Sequence, residues 1–98
     1  MMPDKVNLVI YYNVQNVHKI PDLKITVLSR EYTIPNNRSM TITIDKGEYD
    51  ILFKIPFFLK AAKLDYHITL EGDVQLDIGW NRFWGKITVK EIATHVRL

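Results

Sequence analysis

Residues 64–80 alternate without a fault. Leu64, Tyr66, Ile68 and Leu70 are apolar, and after a turn around Gly72 the apolar series resumes with Val74, Leu76, Ile78 and Trp80. The intervening Asp65, His67, Thr69, Glu71, Asp73, Gln75 and Asp77 are all polar. Successive strand side chains point to opposite faces, so this pattern requires strands with one dry face and one wet one. Two such runs around a glycine turn read as a half-buried antiparallel hairpin.

The rest of the chain extends the pattern. Residues 5–13 form a first strand, apolar on both parities (Val6, Leu8, Ile10, Tyr12, and also Val9 and Tyr11), as in a strand covered on two sides. Leu23, Ile25 and Val27 mark a second, and Tyr32 with Ile34 a short third that Pro35 stops. Pro35-Asn36-Asn37-Arg38 is a turn, because proline presets φ and asparagine tolerates the left-handed region. Met40, Ile42 and Ile44 make a fourth strand, and Tyr49, Ile51, Phe53 and Ile55 a fifth. Residues 64–80 add two, and Ile87 with Val89 an eighth. The fold class is therefore all-β, an antiparallel sandwich of seven to eight strands, with one helical turn allowed over residues 57–62.

If neighbouring strands pair, keeping apolar sets on one face sets the registers. Ile44 then opposes Tyr49 and Ile42 opposes Ile51, with Gly47 as the left-handed residue of the loop. The same rule sets Leu70 against Val74, Ile68 against Leu76, Ile78 against Ile87, and Leu76 against Val89. A connection that crosses between two sheets would void its register.

Composition narrows the function. A chain of 98 residues makes one domain, spanning 1–98, that buries roughly two-thirds of its unfolded surface. With no cysteine, disulfides, thiolate metal sites and thiol nucleophiles are excluded. The 13 basic and 11 acidic residues are interspersed, too mild a balance for a nucleic-acid footprint. No run approaches the ~20 apolar residues of a membrane-spanning helix, and the start of the chain lacks a signal core. These features place the protein in the cytoplasm, although disulfide-free exported domains share them.

Alternation fails in two places. In Pro56-Phe57-Phe58-Leu59-Lys60-Ala61-Ala62-Lys63 the two phenylalanines either plug an open end of the core or, with Lys54, Lys60 and Lys63, form an exposed aromatic and basic knob. Such a knob docks a partner or rests on a membrane surface. In Trp80-Asn81-Arg82-Phe83-Trp84-Gly85, Trp80 falls on the inward parity. Arg82, Phe83 and Trp84 around a tight turn suit a protein hot spot or a sugar-stacking platform.

Catalysis and metal binding find less support. The expected registers set His67 opposite Asp77 and Asp77 opposite Thr88, which are the parts of a general-base system. They stand on an open sheet face without a nucleophile turn, where cross-strand polar pairs are ordinary stabilisation. His18, His67 and His95 lack ligand spacing, no acidic loop suggests calcium, and the four glycines stand singly. No metal or cofactor is expected.

Residues 23–55 hold a strand, a short strand ending at Ile34-Pro35-Asn36-Asn37, the alternating Ser39-Met40-Thr41-Ile42-Thr43-Ile44, and Asp45-Lys46-Gly47-Glu48-Tyr49-Asp50-Ile51. The order of glycine, any residue, tyrosine and extended strand resembles small bacterial PEGA-like β-sandwich modules. That resemblance covers about a third of the chain and implies a non-enzymatic sandwich, accessory to a larger assembly. It carries over no site residues. The sequence thus points to a binding module for a protein partner or a second copy, with Phe57, Phe58, Lys60, Lys63, Arg82, Phe83 and Trp84 as interaction candidates. A carbohydrate-binding module is the alternative, and a small hydrolase-like enzyme the third reading.

Overall fold

In a computed structural model, residues 4–15, 20–57, 60–81 and 83–93 are described. They contain eight strands and no helix: β1 (Lys5–Tyr12), β2 (Leu23–Val27), β3 (Arg30–Ile34), β4 (Arg38–Asp45), β5 (Gly47–Ile55), β6 (Ala62–Leu70), β7 (Val74–Asn81) and β8 (Lys86–Ala93). They build two four-stranded sheets, ordered β4-β1-β7-β8 and β3-β2-β5-β6. Inward residues of both form one apolar cluster, with Leu8, Ile10, Tyr12, Leu23, Ile25, Ile51, Phe53, Ile55 and Leu76 fully buried. The alternation therefore does what it requires: each strand turns its apolar set toward the other sheet.

Strand neighbours differ from the sequence expectation. β4 and β5 do not form a hairpin, since β4 pairs with β1 (Ile42 opposite Leu8) while β5 pairs with β2 and β6. Residues 64–80 are not a hairpin either, because the turn around Gly72 carries the chain from the second sheet to the first. An arch of this kind keeps both apolar sets inward as well as a hairpin does. Parity fixes the face and leaves the neighbour open.

The true hairpins are β2–β3, β5–β6 and β7–β8. In the last, Ile78 opposes Val89 and Leu76 opposes Glu91, two residues from the expected register. A two-residue shift preserves parity, so facing alone cannot detect it. Glu91 has the inward parity in either register; the shift sets it opposite Leu76 at the sheet edge, where its carboxylate accepts a 3.1 Å hydrogen bond from the Tyr66 hydroxyl of β6.

The sandwich is also not purely antiparallel. β1 and β7 run parallel, with Ile10 opposite Leu76. β1 is central in its sheet, and Val9 and Tyr11 on its outer parity are half-buried between side chains of β4 and β7. Among the described residues no second layer covers them, so lateral neighbours account for the apolar outer parity.

Turn chemistry follows the sequence more closely. Asn37 takes φ +64°, and Asn36 ties down the exit of β1 by accepting from Val14 N–H (2.8 Å) and donating to Val14 C=O (3.1 Å). Gly47 has a positive φ of +151° but opens β5 and pairs with Leu70. No helix occupies residues 57 and 60–62. Phe57 N–H bonds the Ile55 carbonyl at 2.9 Å, and Ala62 already belongs to β6, so the segment joins two paired strands of one sheet where a helical turn linking two sheets or capping an end of the fold was expected. Phe58 and Leu59 lie outside the described residues.

Candidate docking surface

β7 and β8 close on the pair Asn81–Lys86, and the described residues 83–85 form the turn at the tip of the hairpin. The Asn81 side-chain oxygen accepts hydrogen bonds from the backbone N–H groups of Phe83 (2.9 Å) and Trp84 (3.2 Å). This is the local competition for backbone donors that suits asparagine to turns. Gly85 completes the return at φ +65°, a conformation that disfavours a side chain. The result is a defined loop holding two large aromatics away from the core. Phe83 is 89% exposed and Trp84 73%, their ring centroids 6.2 Å apart.

Behind the tip lies a groove of about 340 Å³ lined by Phe57, Lys60, Ala61, Ala62, Trp80, Trp84 and Gly85. Its floor is the Phe57–Trp80 pair, with centroids 4.7 Å apart. Both residues are partly buried and pack on the core. Phe57 thus serves both readings, as a plug on its inner side and a groove wall on its outer one. Trp80 is only half inside, which parity alone did not reveal. Lys60 and Lys63 are exposed, and Arg82 and Phe58 fall outside the described residues.

Sequence reasoning missed the setting of Lys63. On the outer face of the second sheet Lys24 of β2 opposes Lys54 of β5, which opposes Lys63 of β6. Three like charges share one rung, an arrangement that works against the sheet. Lys60 borders the groove at this end, and Lys86 closes the hairpin. The ion pairs among the described residues are Lys5–Asp45 (3.0 Å) and two made by His67, so none of these five lysines is neutralised by one. Glu48 and Asp50 occupy the far end of β5, and Glu71 and Asp73 the turn beyond β6. An evenly mixed sequence has become a molecule with a cationic, aromatic end.

The expected His67–Asp77 pair does not exist, because the two residues are on different sheets. His67 opposes Asp50 instead, its Nδ1 2.8 Å from Asp50 Oδ1 and its Nε2 3.1 Å from Glu48 Oε1. Asp77 opposes Lys90, not Thr88, and accepts from Gln75 at 2.7 Å. Hydrogen bonds to Asp50 first and Glu48 second raise the His67 pKa above the usual 6.5. With both ring nitrogens occupied on an open face, His67 is arranged as the cation of a charge cluster. A second groove of about 370 Å³ between the β3 and β4 edges is lined by residues including Val27, Leu28, Tyr32, Ile42, Ile44 and Tyr49. No group of three or more potential ligands among the described residues could hold a metal ion.

Compared with protein families, curated proteins and solved structures, the chain has no match.

Proposed function

We propose that this protein is a non-enzymatic binding module that docks through the cationic, aromatic end of its sandwich. One observation carries the reading: Phe83 and Trp84 are held outward by Asn81 and Gly85 on a defined tip, beside a groove floored by Phe57 and Trp80. Exposing two adjacent large aromatics is unfavourable in water, and a contiguous aromatic patch marks an interaction site. A sugar site would need several side chains converging to bond hydroxyls, whereas among the described residues the polar groups lining this groove are the Lys60 ammonium and the indole N–H groups of Trp80 and Trp84, with no side-chain acceptor. The groove therefore favours a macromolecular surface over a glycan.

The absence of cysteine allows a direct test. Single cysteines are placed at position 61, which lines the groove without contributing an aromatic, and at position 31 on β3 toward the other end, and maleimide labelling is compared in intact cells and in the purified protein. The expected result is labelling of both positions when purified and shielding of position 61 alone in cells. Unchanged relative labelling in cells would remove the docking reading.

A further inference from the structure

We infer that the surface met by this end is an anionic lipid membrane, an assignment that rests on the docking reading above. The cations around the aromatics, and the way they are held, favour a lipid surface over a protein one. Lys24, Lys54 and Lys63 share a rung, Lys60 borders the groove and Lys86 closes the hairpin. All five are lysine, free of ion pairs with described residues, although Asp22 and Asp65 each lie two positions from a member of the rung, and Arg82, which precedes Phe83 in the chain, lies outside the described residues.

Interfaces with proteins are enriched in arginine and depleted of lysine, because fixed carboxylates are best met by a planar fork. A lipid surface presents mobile, diffuse negative charge. Lysines on long stems suit it, each adding to attraction without a fixed partner. Phe83 and Trp84 supply the apolar part of such a contact. A convex tip with no complementary rim can enter the headgroup layer in any rotational setting, and tryptophan partitions to that layer. The lysine rung, which costs the sheet stability in isolation, is relieved once anions lie over it.

Purified full-length chain is mixed with phosphatidylcholine vesicles, with and without phosphatidylserine, and followed by sedimentation and tryptophan emission. The expected result is binding to the phosphatidylserine vesicles with a blue shift, weakening as salt is added. The variant Phe83→Ser/Trp84→Ser should lose affinity by more than roughly tenfold. Lys24→Gln/Lys54→Gln/Lys63→Gln should lose roughly 100-fold. Circular dichroism confirms that each variant is folded, and Lys63→Gln alone, with a loss of roughly fivefold, replaces the triple variant if it is not.

No sedimentation at low salt would overturn the lipid assignment, and so would binding that survives loss of the tip aromatics. Self-association without lipid, abolished by the tip variant, would assign the surface to a second copy. If position 61 is shielded in cells while no vesicle binds, docking stands and lipid is wrong. Free labelling of position 61 in cells removes the docking reading itself.

Discussion

Ser29→Gly should stabilise the protein, and the reason lies in one turn. Leu28 and Ser29 form the two-residue loop between β2 and β3, with φ +52° and +61°. Two consecutive left-handed residues are the requirement of a type I′ turn, which Asn-Gly normally meets. An L residue in this region costs about 1–2 kcal/mol, and glycine removes that cost while adding about 0.5–1 kcal/mol of chain entropy. Ser29 is exposed, so no burial is lost. The net gain is about 0.5–1 kcal/mol, a rise in Tm of roughly 2–8 °C for a domain of this size.

Leu28→Asn is the control. Leu28 is 63% exposed, and it lines the groove beside Val27, Ile42 and Ile44. Losing a third of a full leucine burial costs about 0.5–1 kcal/mol, which offsets the backbone relief and leaves Tm nearly unchanged. Urea unfolding followed by circular dichroism should show a higher midpoint for Ser29→Gly with an unchanged slope. A lower midpoint, or a larger gain from Leu28→Asn than from Ser29→Gly, would refute the reasoning.

Three other outcomes are expected. A Cβ at Gly79 would stand 2.9 Å from Thr88 Oγ1 across the β7–β8 ladder, so Gly79→Ala should destabilise by about 1 kcal/mol alone and lose that penalty in a Thr88→Ala background, measured as a double-mutant cycle. Tyr12→Phe should cost about 1–2 kcal/mol, because the buried hydroxyl donates to the Pro21 carbonyl at 2.8 Å. Burial, then the charge of Asp22, pushes its pKa up to about 12, so absorbance titration should show a late phenol and stability should fall between the ordinary tyrosine value of 10.0 and about 12. His67 should titrate by NMR above 6.5; its contribution, full below that value, disappears as pH rises through the folded pKa, and Asp50→Asn should bring the titration back down.

Both places where alternation breaks carry the candidate surface, and for the β7–β8 tip the signal was legible: asparagine and glycine bracketing aromatics is local turn chemistry. Trp80 was harder to read, because parity gave its direction but not that it sits near the rim of the sandwich, half covered by Phe57. The lysine rung was invisible. Lys24, Lys54 and Lys63 lie in three strands, and nothing short of the β2–β5–β6 registers puts them side by side.

The same division holds for the whole chain. Alternation is a property of each strand alone, so the sequence by itself determined that the protein is all-β and which residues face the core. Pairing is a property of strands far apart, and arches and hairpins satisfy parity equally well. Only the tertiary structure decided that β4 lies beside β1, that β1 runs parallel to β7, that His67 meets Asp50 and Glu48, and that dispersed lysines gather at the aromatic end.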